Sequence, residues 1–118
     1  MKVEDCLFCG ILAGNIPATI IYEDATVIAF RDIAPQAPTH VLVIPRQHID
    51  HAGAVLPEDA SVVGSMIMAA QKVAEIEGIN GADRGFRLVM NVGPDALNSV
   101  PHLHLHVLGG RPMAWPPG

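Results

Sequence analysis

The sequence predicts an α+β fold: a mostly antiparallel five-stranded sheet with one short N-terminal helix and one long helix. Three observations lead there. Five runs of strand length, at 19–23, 25–31, 40–45, 85–91 and 102–108, follow one another without βαβ alternation, which favours antiparallel pairing. Only the segment after Pro57 repeats apolar residues at spacings of three and four over several turns. The stretch His102-Leu103-His104-Leu105-His106-Val107-Leu108 alternates histidine and apolar residues at period two, the pattern of a strand with two chemically different faces.

The first helix is expected over Asp5 to Gly14, with Asp5 as its N-cap and Gly14 just past its end, before Asn15-Ile16-Pro17 breaks the pattern. The runs 19–23 and 25–31 flank the turn-prone Glu23-Asp24 and form a hairpin. Two prolines make 32–39 an ordered loop, because each fixes φ and removes a backbone donor. The following run, His40-Val41-Leu42-Val43-Ile44-Pro45, is apolar throughout, as a central strand covered on both faces requires. A polar connection, 46–51, leads to the long helix. Pro57 suits its first position, Glu58 and Asp59 suit the positive end of its dipole, and Gly78 stops it. Its core face is expected at Val63, Met66, Ile67, Ala70, Val73 and Ala74, and Met66 and Met68 are packing residues rather than ligands. The loop 92–100 delivers the chain to the histidine strand, and Gly109-Gly110 ends it. In the proline-rich tail Trp115 is either an anchor against the body or an interface residue.

At 118 residues the chain has room for one domain, spanning 1–118, with a core of its own. The net charge of −5 argues against nucleic-acid backbone binding, which needs a basic stripe, but leaves room for a small anion held by local donors. The weakly polar run 60–70 is too short to cross a bilayer, and no apolar leader follows Lys2, so a cytoplasmic protein without a membrane partner is expected. The two cysteines, Cys6 and Cys9, are then reduced and serve either as metal ligands or as plain buried residues.

In the extended conformation the three imidazoles of 102–106 share one face, about 6–7 Å apart along the strand, while Leu103, Leu105 and Val107 pack on the other. Imidazole is a nucleophile, a proton carrier and a metal ligand. As a zinc-dependent hydrolase the row would supply ligands and a carboxylate would act as base, but the nearest acid, Asp95, lies seven residues before His102. As a nucleophile on phosphorus, the middle imidazole would attack while its neighbours hold phosphate oxygens and orient it. Ser99, Asn91 and Asn98 lie on the approach and offer a hydroxyl and two amides.

The histidine row resembles the signature of the histidine triad (HIT) superfamily. Ile16-Pro17-Ala18, Ala29-Phe30-Arg31-Asp32, Gln36-Ala37-Pro38-Thr39-His40, Val43-Ile44-Pro45 and the Gly109-Gly110-Arg111 to Gly118 tail resemble its Hint-like branch, the histidine triad nucleotide-binding proteins. The resemblance implies a homodimer. It further implies a purine nucleoside phosphoramidase or adenylate hydrolase that cleaves AMP or GMP conjugates through a nucleotidyl-histidine, with no catalytic cofactor. A nucleotide-binding regulator with vestigial catalysis is the alternative. The resemblance places the nucleophile at His104 and the phosphate-oxygen partner at His106. It gives His102 and His40 the network behind the nucleophile, Ser99 the phosphate or leaving amine, and Asn91 the phosphate end, with Asn98 counted among the nucleotide-binding residues. Asp32 would bond the ribose hydroxyls, and Leu7, Phe8, Ile11, Ile16, Phe30, Ile33 and Leu42 would line the base pocket. Trp115 would reach the partner's site. Some members carry an N-terminal cysteine pair that binds structural Zn²⁺ with two histidines, which here implies Cys6, Cys9, His48 and His102, with His51 in competition with His48. Leu97 stands where glycine is expected, which puts a positive φ there in doubt. Pro101 is a second departure, one that stiffens the entry to the row.

Overall fold

The computed structural model describes residues 6–118. The chain forms α1 (Leu7–Leu12), β1 (Ile20–Glu23), β2 (Val27–Arg31), β3 (Thr39–Pro45), α2 (Ala60–Glu77), β4 (Phe86–Val89) and β5 (Leu105–Gly109), with single 3-10 turns in the connections. The five strands make one sheet in the order β1-β2-β3-β5-β4, every neighbouring pair antiparallel. This is the predicted α+β architecture.

The seven residues of β3 are all buried, which the absence of any polar alternation in its sequence required. One face of the sheet packs Val41, Val43, Leu103, Leu105 and Val107 against Met66, Ala70 and Val73 of α2. The other buries Ile28, Phe30, Leu42 and Ile44 against Cys6 and Phe8 at the start of the chain. Arg31 clamps the end of α2 to β2 through two hydrogen bonds to the Glu77 carboxylate, 2.8 and 2.9 Å. The bidentate pair lowers the pKa of Glu77.

Several local expectations change. Asp5 lies outside the described residues; the cap of α1 is Cys6, whose Sγ accepts the Cys9 N–H at 3.4 Å. Gly14 follows the helix at φ +80°, the left-handed residue anticipated there. Pro57–Asp59 is a 3-10 turn rather than the first α-turn. Met68 is 60 % exposed and Ile67 37 %, so neither is a core residue, and Ala69 is buried instead. The helix rolls so that small alanines meet the sheet. Leu97 adopts the left-handed conformation in doubt, at φ 59° and ψ 34°, with its side chain in solvent.

Candidate active site and metal cluster

Antiparallel register brings the histidines together: His40 of β3 pairs opposite Leu108, and Leu42 opposite His106. Residues 102–104 precede the ladder but keep its period, so all three row imidazoles lie on the face opposite α2. They do not form a simple line of equivalent rings. Each is fixed by a different partner.

His104 Nδ1 stands 2.7 Å from the carbonyl oxygen of His102. A carbonyl only accepts, so Nδ1 carries the proton and Nε2 keeps its lone pair. Phe8 packs edge-on against this ring at 5.1 Å between centroids and holds its plane. His104 and His106 meet edge to face, 5.0 Å between centroids.

The tautomer of His106 follows from a longer chain. The Gln36 backbone N–H donates to His40 Nδ1 at 3.0 Å, so a neutral His40 has its proton on Nε2. That N–H donates to His106 Nδ1 at 2.9 Å, with an Asp32 carboxylate oxygen 3.4 Å from the same Nε2. His106 therefore carries its proton on Nε2, facing outward, where the Asn91 amide lies 3.5 Å away. Burial, then the neighbouring His104 and His40, push His106 down to about 4, and burial lowers His40 as well. Both are neutral at pH 7. The pair His104 and His106 thus presents one lone pair and one N–H side by side.

Both rings open onto a cavity of about 260 Å³. Leu7, Phe8 and Ile11 of α1, with Ile16, form one wall; Phe30, Ile33 and Leu42 form the apolar floor; Asp32 and Ser99 stand at its polar end. Every residue expected to line the base pocket is there. Pro17, Ala18, Arg31 and Val100 also line it, the first three known from the sequence only as parts of the family motifs. Asp32 is steadied by the Ala34 N–H on Oδ1 at 2.8 Å.

Four residues sit differently from expectation. His40 supports His106 rather than the nucleophile position. His102 supports His104 through its backbone carbonyl, while its own ring turns away. Asn98 and Asn91 do not line the cavity; Asn98 is partly buried with Oδ1 unpartnered, and Asn91 reaches the site only at His106. Gln36 escaped the sequence reading because its contribution is a backbone N–H, which no side-chain pattern reports.

The ring of His102 belongs to a second cluster. Its Nε2 donates to the Pro45 carbonyl at 2.9 Å, leaving the Nδ1 lone pair 3.3 Å from Cys6 Sγ and 3.5 Å from Cys9 Sγ. His48 repeats the arrangement: Nε2 donates to Asp50 at 3.0 Å and Nδ1 points at Cys9 Sγ, 3.2 Å away. The four donor atoms lie within 4.8 Å of one another. Two thiols and two imidazoles, each imidazole with its far nitrogen tied to an oxygen, are a donor set that fits a tetrahedral soft cation such as zinc. Burial, with Cys6 alongside, pushes the Cys9 thiol up to about 11. His51 is not in the cluster; its Nδ1 accepts the Gly53 N–H at 3.1 Å. The row histidines do not converge on a single ion, because His102 faces the thiols and His104 Nδ1 is taken by a carbonyl.

Known proteins share this arrangement of elements. The HIT domain family model matches residues 13–113. A HIT family hydrolase from Legionella pneumophila superposes with a TM-score of 0.91 at 48 % identity, covering 97 % of this chain and 100 % of that one. A HIT family hydrolase from Clostridium thermocellum gives 0.90 at 45 % identity over 96 % of each chain. The 14 kDa zinc-binding protein of Brassica juncea is 44 % identical over 116 residues, 97 % of this chain and all of that one. With the family model spanning most of the sequence and the whole fold reproduced, the chain belongs to the HIT domain family.

Proposed function

We propose that residues 1–118 act as one HIT domain that hydrolyses purine nucleoside 5′-phosphoramidates and acyl-adenylates through a nucleotidyl-His104 intermediate. The observation that carries this reading is the 2.7 Å bond from His104 Nδ1 to the His102 carbonyl, which leaves Nε2 unprotonated beside the cavity. The base occupies the apolar end between Phe8, Phe30 and Leu42, and Asp32 accepts the ribose hydroxyls. His104 Nε2 attacks the α-phosphorus. The P–N bond breaks and its electron pair leaves with the amine nitrogen, which takes a proton through the Ser99 hydroxyl from solvent. The positive charge that develops on the imidazole is stabilised by the His102 carbonyl, and the His106 Nε2–H donates to a non-bridging phosphate oxygen. Water then adds to phosphorus, the P–imidazole bond breaks, and the nucleoside monophosphate is released.

The chemistry asks nothing of a catalytic metal. Structural Zn²⁺ is assigned to Cys6, Cys9, His48 and His102, where it would tie the start of α1 to the segment preceding β5. The zinc-binding name of the Brassica relative supports that assignment. We assign a cytoplasmic homodimer as the working form, with β4 the available sheet edge for a second copy. Among the described residues no helix is long and apolar enough to cross a membrane.

Purified protein mixed with an adenosine 5′-phosphoramidate and quenched early should show an AMP adduct on the peptide carrying His104. His104→Ala should lose the adduct and at least ~10³-fold in kcat/KM, as expected when the covalent nucleophile is removed. A His104→Ala protein with near-normal turnover sinks the proposal.

A further inference from the structure

The chain leaving β5 turns onto the loop that feeds the histidine relay. Antiparallel pairing sets Thr39, the first residue of β3, opposite Gly109, the last of β5, so the residues after β5 run beside the residues before β3. Two contacts join them. A β-carbon on Gly110 would stand 2.8 Å from Pro38 Cβ, closer than side chains approach, and Gly110 is at φ +89°, so only glycine lets the two segments lie this close. Arg111, the next residue, donates from Nη2 and Nε to the Gln36 carbonyl oxygen at 3.0 and 3.3 Å, and from Nη1 to Pro112 O at 3.1 Å.

The other side of Gln36 is where the site begins. Its N–H, across one α-carbon from the carbonyl that Arg111 holds, is the donor to His40 Nδ1. The loop closes around the same residue: Gln36 Nε2 donates to Ala34 O at 3.0 Å, the Ala34 N–H to Asp32 Oδ1 at 2.8 Å, and the Asp32 N–H to His40 O at 2.9 Å. Those bonds all lie within residues 32–40, whereas the Arg111 pair comes from outside the loop. A permanently charged, planar fork is suited to hold one carbonyl through two donors.

Loss of the Gln36 N–H bond has a definite consequence for His106. His40 could then carry its proton on Nδ1, its Nε2 would face His106 Nδ1 as a second lone pair, and His106 would move its own proton from Nε2 to Nδ1 to restore the bond. The N–H that faces the cavity would be gone. We propose that Arg111 is a positioning residue for His106: by holding the Gln36 carbonyl it fixes the peptide N–H that sets the tautomer of His40, and through His40 it keeps the His106 Nε2 proton aimed at the phosphate. The role rests on the reaction proposed at His104, in which His106 donates to a phosphate oxygen. Donor and acceptor belong to one chain, so the contact requires no open surface and is compatible with a second copy paired along β4.

The test is the exchange of ring N–H protons with solvent in the full-length, ¹⁵N-labelled protein as purified. In Arg111→Gln the His40 Nε2–H should exchange at least about threefold faster than in the parent, as for one charge-assisted hydrogen bond lost at the surface. The His102 Nε2–H, bonded to Pro45 O, should keep the parent's rate. Arg111→Lys, which keeps the charge but not the fork, should lie between. With an adenosine 5′-phosphoramidate, Arg111→Gln should lose at least about threefold in kcat. Unchanged exchange at His40 overturns the proposal, and so does equal acceleration at His40 and His102, which would mean general loosening. Unchanged kcat beside an active parent overturns it as well. A parent without turnover defeats the reading of His104 instead, and the ring-proton comparison still decides whether Arg111 governs His40. Should Arg111→Gln not fold, Arg111→Lys carries the same comparison, and a His40 rate equal to the parent's overturns the proposal.

Discussion

His106 is held near 4 by burial and by two neighbouring imidazoles, and this sets how the site responds to acid. Protonating it would put a hydrogen on Nδ1, where the His40 N–H already points, and the two donors would face each other across 2.9 Å. Protonation of His106 should therefore be seen near 4 rather than at the ordinary histidine value, followed by the chemical shifts of its ring across a series of overlapping buffers. Stability follows the same sign. An unfolded imidazole takes up its proton around 6.5 while the folded one resists until about 4, so the unfolded state binds more protons between those values. Stability is constant above about 6.5 and is lost as the pH falls toward 4, which urea melts across that window would register. Leu97 offers a second test at this scale. A left-handed leucine costs about 1–2 kcal/mol, and its side chain is 84 % exposed with no packing to lose. Leu97→Gly should raise stability, by about 1 kcal/mol after the added backbone entropy of glycine. An unchanged or lowered melting temperature would show that the loop carries no such strain.

Elements made of strong periodic pattern were legible, and those made by tertiary contact were less so. β3 could be read from an unbroken apolar run, and the face shared by 102, 104 and 106 from period two, because both follow from backbone geometry alone. The roll of α2 could not: Ile67 and Ala69 are both apolar, and only the space beneath the helix decides that the alanine goes in. Alternation alone does not turn the ring of His102 to the thiols, where Pro45 offers a carbonyl on its other side; the family resemblance, not the period, put His102 with Cys6, Cys9 and His48. For α1, six residues are too few to persist as an isolated helix. If the cysteine cluster is what secures it, chelation should be felt in the nucleotide pocket, since Leu7, Phe8 and Ile11 form a wall of that pocket. Protein purified without added metal should carry close to one zinc per chain by elemental analysis. Cys9→Ser should lose the metal, lower the melting temperature, and weaken AMP binding measured by calorimetry. Retention of full AMP affinity in a metal-free Cys9→Ser protein would separate the two sites.

For the molecule as a whole, the sheet has two edges, β1 and β4, and both are short, with four residues each. Leu88 on β4 is 36 % exposed, and Ile67, Met68 and Ile76 of α2 add further apolar surface. The homodimer proposed above, paired along β4, would cover Leu88. Sedimentation equilibrium should then report twice the 12.5 kDa chain mass. Leu88→Asp should shift it toward the single chain, and a monomeric parent would refute the pairing. Trp115, 83 % exposed at the surface of one chain, should lose solvent accessibility by fluorescence quenching in the same assembly.

The strand at the middle of the sheet finds one of its two partners late. Thr39 is paired with Gly109, and Val43 with Leu105, across most of the chain's length. As the polypeptide leaves the ribosome, β2 can dock on β3 at once, yet the opposite rim of β3 stays open until residues 105–109 have emerged. That rim belongs to a seven-residue, largely apolar strand, an invitation to foreign strands. Nascent chains stalled before residue 105 should accordingly be clients for holding chaperones, and released chains should not.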